Sequence, residues 1–181
     1  NQMGSEFLTS PFDNLLKPVD DHLIVHNELM SSLILGNKIQ IHTSEHGIPD
    51  LDTTKIVIIG IPENRNSTDY LGDELNLNEI RKSLYNLYPG NWSTEIADLG
   101  NLILGENIEQ TYGRIISMLS ILFEKNIIPI IIGGSHDLLY ANYRAYDSFK
   151  STVNIVNIDS NFDIGDSAKP INNLSYLGKI I

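Results

Sequence analysis

Two hydrophobic periods alternate along this chain. Lys55–Gly60 is an apolar run without alternation, as a strand buried on both faces should be. Ile61-Pro62 ends it, because proline supplies no ladder donor. Residues 63–73 read as a polar loop. Leu77, Ile80, Leu84 and Leu87 fall at helical spacing and predict a helix over 78–88, stopped by Pro89-Gly90. A strand follows at 95–100. Ile108, Tyr112, Ile115, Leu119 and Leu122 form one stripe and predict a helix over 106–125. Glu106 and Glu109 suit its positive end, and Lys125 its negative end. A strand at 127–132, a helix at 135–149 and a strand at 153–159 complete the pattern. Residues 1–50 keep no period for long. Leu23–Val25 and Lys38–His42 are short strand-like pieces, and Gly47–Asp50 is turn chemistry.

Strands alternating with helices predict an α/β fold, a mainly parallel sheet covered on both faces with right-handed crossovers. The 181 residues suffice for one core. The expected organisation is an N-terminal extension, 1–50, laid over the N-terminal part of an α/β domain, 51–181. Leu174–Ile181 opens another apolar segment inside which the sequence stops, so a longer protein is expected.

Hydrophobic content of 41% and charged content of 19% fit a folded chain. A formal net charge of -11, with 12 scattered basic residues, argues against nucleic-acid binding, which needs clustered Lys and Arg. The absence of cysteine removes disulfides and thiolate metal sites and fits a reducing compartment. No apolar run reaches the roughly 18 residues of a membrane span. The expected location is cytoplasmic.

The candidate chemistry sits at the ends of the last two predicted strands. Gly133-Gly134-Ser135-His136-Asp137 follows one of them. The glycines let the chain turn sharply, Ser135 can cap the next helix, and His136 then stands at the ligand edge of the sheet. A histidine there can also simply pack or bond locally. The phosphate-binding patterns G-x-G-x-x-G and G-x-x-x-x-G-K are absent, which disfavours a nucleotide-binding domain. Asp159-Ser160-Asn161-Phe162-Asp163 follows the other strand. Its alternating oxygens can hold a cation between them, or form a solvated acidic turn. An EF-hand is excluded by Ile164 and Pro170, where that loop needs glycine and glutamate. Taken together, one histidine and two aspartates make a nitrogen–oxygen set that suits Mn²⁺, Fe²⁺ or Zn²⁺ better than Ca²⁺. His22, His26, His42 and His46 read as surface or locally bonded residues. Trp92, Tyr140, Tyr143 and Tyr146 read as packing residues.

These two segments resemble the ureohydrolase superfamily of arginase, agmatinase and formimidoylglutamase, which carries Gly-Gly-Asp-His after one strand and Asp-Ala-His-x-Asp after the next. Gly60-Ile61-Pro62 and Glu79-Ile80-Arg81 also fit that layout, over roughly residues 38–181. The look is closest to formimidoylglutamase-like members. The resemblance implies a three-layer α/β/α fold, incomplete in this chain, a binuclear Mn²⁺ centre, a homo-oligomer, and hydrolysis of a linear amidine or guanidine by a hydroxide made at the metals. It places His136 and Asp163 on the first metal and Asp159 between both.

Two positions depart from the family pattern. The second histidine, a ligand of the other metal, is Asn161, a weaker donor to a borderline metal. The Asp of Gly-Gly-Asp-His is Ser135, with Asp137 on the other side of the histidine as the candidate replacement. The metal set is thus His136, Asp159, Asp163 and Asn161, with one or two ions, or none, and a degenerate second site. No residue is assigned a catalytic role. The family's second carboxylate motif falls beyond residue 181, so this chain alone is expected to be inactive. The alternative is a non-catalytic member of the fold with a structural or partner-binding role.

Overall fold

The computed structural model describes residues 10–70, 72, 75–149 and 152–181. Residues 1–9 of the expected extension, and positions 71 and 73 of the expected polar loop, lie outside the described residues. In chain order the elements are β1 (Leu16–Lys17), α1 (Asp21–Glu28), β2 (Gln40–Ile41), β3 (Ile56–Gly60), α2 (Asn78–Tyr85), β4 (Ile96–Leu102), α3 (Ile108–Glu124), β5 (Ile128–Ile132) and α4 (Leu138–Asp147). Single 3-10 turns lie at Leu35–Asn37 and Leu177–Lys179.

The sheet runs β1-β4-β3-β5, with β2 also on β4. All pairings are parallel except that of β1 with β4. The apolar run in β3 is explained by burial on both faces. Val57 and Ile59 join Ala97, Leu99 and the stripe Ile115, Met118, Leu119 and Leu122 of α3, with Ala141 and Ala145 of α4. Ile58 faces the other way, onto Leu77 and Ile132. Tyr85 of α2 packs with Val19 and Leu23 of the α1 region on that second side. Helices therefore cover both faces of the sheet, and the fold is a three-layer α/β/α arrangement.

Residues 10–50 contribute more than a covering layer. Phe12 and Leu16 enter the main core, and β1 and β2 are sheet strands. Gly100 permits the close approach of β1. Its φ is 83°, and a Cβ there would lie 2.0 Å from the Lys17 carbonyl oxygen. Across the second layer, Arg81 of α2 is buried and grips β4. Its Nε donates to Asp98 Oδ2 at 2.9 Å and its Nη2 to Asp98 Oδ1 at 3.2 Å, while the Tyr85 hydroxyl donates to the same carboxylate at 2.8 Å.

Three expected elements differ. Leu23–Val25 lies in helix α1, not a strand. Asp20 caps that helix by accepting from the His22 N–H at 2.9 Å, and three apolar residues are too few to fix a period. Helix α4 begins at Leu138, not Ser135, and Ser135 is not its cap. Residues 153–159 are not a strand: they make no ladder, and Val156 and Ile158 are 89% and 96% exposed. Ile128 N–H bonds the Lys55 carbonyl and Ile61 N–H bonds the Ile132 carbonyl, so Ile128, Ile130 and Ile132 spend their groups on β3. On the other edge of β5, Pro129 has no N–H to offer, so Ile131 supplies the single donor facing an incoming strand. A β-branched composition alone does not supply the missing bonds.

Candidate functional site

The turn after β5 is built by close backbone packing. Gly134 N–H bonds the Ile61 carbonyl at 3.1 Å and Ser135 N–H bonds the Glu63 carbonyl at 2.9 Å. A Cβ on Gly134 would stand 2.1 Å from the Glu63 oxygen and 2.8 Å from the Ile61 oxygen, so only glycine fits. The chain then makes i→i+3 bonds, with Leu138 N–H on the Ser135 carbonyl and Leu139 N–H on the His136 carbonyl, before α4 starts. His136 sits in this tight turn, not in the first turn of the helix. Ser135 Oγ donates to Asp137 Oδ1, where the sequence suggested a cap.

His136 Nδ1 stands 2.9 Å from Asp159 Oδ2 and 3.7 Å from Asp163 Oδ2. One ligand atom from each of the three residues falls within 4.8 Å of the others. The predicted convergence of the two clusters is therefore present, although residues 153–159 form no strand. The 159–163 turn achieves it. Asn161 N–H bonds Asp159 Oδ1 at 3.1 Å, and Asp163 adopts a left-handed backbone, φ 48°. Its carbonyl accepts from Leu177 N–H at 3.2 Å, which anchors the turn to the last 3-10 turn.

The two carboxyls titrate apart. The backbone N–H of Asn161 holds Asp159 below the usual carboxylate range, with His136 adding to the effect. Burial pushes Asp163 up, and the Asp159 carboxylate beside it raises it further. Both Asp163 oxygens are buried and, among the described residues, accept no hydrogen bond. Asn161 is exposed, and its Nδ2 donates to Ser160 Oγ at 3.3 Å.

A cavity of about 430 Å³ opens beside the cluster, lined by His136, Asp159, Asn142, Asn157 and Tyr176 among others. Sequence reasoning missed Tyr176 and Asn157. Tyr176 is buried, meets the His136 ring edge-on with centroids 6.3 Å apart, and donates to Asn157 Oδ1 at 3.4 Å. Burial, then the Asp163 charge, pushes its phenol up. No periodicity marked it, since it lies in an irregular segment.

Asp137, the candidate replacement partner for His136, is fully buried, and its carboxylate accepts from Ser135 Oγ and Tyr112 Oη. Of the other histidines, His42 departs from the expectation. It is buried, with Nδ1 2.8 Å from the Leu99 carbonyl, because its own N–H extends the β2–β4 ladder to Asp98. Trp92, expected to pack, is 77% exposed.

In sequence and fold this chain is similar to known proteins. Formimidoylglutamase of Halalkalibacterium halodurans is 26% identical over 122 residues, which cover 59% of this chain and 37% of that protein. Among solved structures, formimidoylglutamase of Bacillus subtilis superposes with a TM-score of 0.66 at 16% identity, covering 98% of this chain and 52% of that one. Formiminoglutamase of Trypanosoma cruzi, solved with Mn²⁺, gives 0.65 at 20% identity, covering 81% and 52%. The chain thus spans about half the length of these solved structures. The arginase-family model matches residues 54–175, a stretch that holds β3 to β5, the Gly-Gly turn and all three converging side chains, and on that match this chain belongs to the arginase family.

Proposed function

We propose that this chain carries the first-metal half of a ureohydrolase-type centre, in which His136, Asp159 and Asp163 hold one Mn²⁺ ion. The observation that carries the reading is the pair of buried Asp163 oxygens that no donor reaches among the described residues, beside an imidazole and a second carboxylate. A buried carboxylate without donors is costly unless a cation meets it, and this nitrogen–oxygen set suits a borderline divalent metal. Such an ion would supply Lewis acidity and a lowered water pKa for attack on an amidine or guanidine carbon. The substrate is then a small, linear molecule of that class, formimidoylglutamate-like by analogy with the relatives. The whole protein acts as a cytoplasmic homo-oligomer, and carboxylates beyond residue 181 complete the centre.

A second reading, a non-catalytic arginase-fold protein, is favoured by Asn161. Its side chain offers a metal only an amide oxygen where the family pattern has a histidine nitrogen, and the residue is exposed with Nδ2 donating to Ser160, so a second ion would be held weakly there.

Mn²⁺ titration followed by electron paramagnetic resonance tests the first reading. One equivalent should bind the chain and be lost in His136→Ala, without urea or formamide release. No binding by the wild-type chain would overturn it. Uptake of a second ion and turnover by the whole protein would remove the non-catalytic reading.

A further inference from the structure

His136 is flanked by two side chains that turn the opposite way. Ser135 and Asp137 point inward and bond each other, and Asp137 is fully buried. Its second oxygen accepts from the hydroxyl of Tyr112, on α3. Asn66 Nδ2 in turn donates to the Tyr112 hydroxyl oxygen at 3.1 Å. Hydroxyl donors thus occupy both oxygens of the Asp137 carboxylate.

The same loop reaches the far wall of the cavity. Asn173 N–H bonds the Asn66 carbonyl at 3.2 Å, and Thr68 N–H bonds Asn173 Oδ1 at 2.9 Å. Three residues after Asn173 comes Tyr176, whose ring meets His136. One hydrogen-bonded path therefore runs from the turn that bears His136, through the core, to the segment that bears its aromatic neighbour.

We infer that Tyr112 and Asp137 are positioning residues for His136. By holding residues 135 and 137 inward, they force the side chain between them outward, to face Asp159 and Asp163. Through Asn66 and Asn173 they also fix Tyr176 against its ring. The consequence for metal affinity rests on the reading of His136 as a ligand, but the positioning itself does not. A hydroxyl-saturated carboxylate is also well suited to this task, since it fixes orientation without bringing a competing cation next to the site.

The test is nuclear magnetic resonance of the metal-free 181-residue chain with labelled histidine, followed by Mn²⁺ titration. Wild type should give one His136 ring signal with cross-relaxation to Tyr176. Tyr112→Phe keeps the ring and removes the hydroxyl. Core methyl signals of Ile115 and Leu119 should stay, while the His136 signal splits or loses its contact with Tyr176. Mn²⁺ affinity should fall about 10-fold, the lower end for losing a group that orients a ligand. Asp137→Asn, which keeps one acceptor, should fall between the two. If Tyr112→Phe does not fold, Ser135→Ala takes one hydroxyl from the same carboxylate and decides the matter by the same signal. An unchanged His136 signal and Tyr176 contact in a folded variant would overturn the inference. A His136 signal that shifts in a chain that binds no Mn²⁺ would leave the positioning intact and remove the metal reading instead.

Discussion

His136 Nδ1 faces Asp159 at 2.9 Å and Asp163 at 3.7 Å, so a single imidazole nitrogen addresses two carboxyls with opposite titration behaviour. Asp163 is the raised one. In the metal-free chain its protonated form stabilises the fold, and that contribution is present at low pH and lost as pH rises through its folded-state pKa. A cation offsets the loss, and it must displace the proton to bind. The stabilisation by Mn²⁺ should therefore grow as pH rises through the raised folded-state pKa of Asp163. Thermal melts with and without Mn²⁺ check this, and Asp163→Asn should reduce the Mn²⁺ stabilisation and leave only the weaker pH dependence of His136 and Asp159.

Arg81 and Asp98 form a buried ion pair between α2 and β4, with side chains 1% and 0% exposed. Asp98→Ala leaves the guanidinium without its anion in the second layer and should cost about 3–5 kcal/mol. Tyr85→Phe removes one hydroxyl donor from that carboxylate and should cost about 1 kcal/mol. Urea unfolding of both variants gives the comparison.

Gly134→Ala should destabilise by about 1–3 kcal/mol, because the added Cβ meets the carbonyls of Glu63 and Ile61, which belong to backbone with no room to move. Gly133→Ala, where the nearest contact is 3.8 Å from Leu138 Cδ1, should be milder. Chemical denaturation of the pair separates close packing from general loop tolerance.

Tyr85 and Tyr112 are both pushed well above the ordinary phenol value of 10.0, by burial first and then by Asp98 and Asp137. Below that value both phenols are neutral in either state, and their contribution is complete. Above it the unfolded chain loses protons that the folded chain keeps, so stability falls with rising pH. Unfolding free energies measured from about pH 8 to about pH 11 should decline, and less steeply in Tyr85→Phe.

The sheet and its covering helices were legible because β3, β5 and α3 carry unambiguous periods. The convergence of His136 with Asp159 and Asp163 was legible from chain order, since each cluster closes an apolar run. What escaped depends on single local residues and on partners far along the chain. Asp20 makes 21–28 a helix by capping it. Pro129, on the β5 edge that is unpaired among the described residues, has no N–H for a further strand. Tyr112 belongs to the stripe of α3 by its ring, and nothing in that stripe tells that its hydroxyl reaches Asp137. Tyr176 lies in a segment without a period, so only the fold brings it to His136.

Pro129 has a consequence for behaviour in concentrated solution. Among the described residues β5 pairs with β3 alone, and its Ile128 and Ile130 are exposed. Strand edges of this composition template pairing between molecules, the first step toward fibrils. A proline whose missing N–H falls on that edge interrupts the template, and so acts as a gatekeeper against aggregation as well as a gap in the ladder.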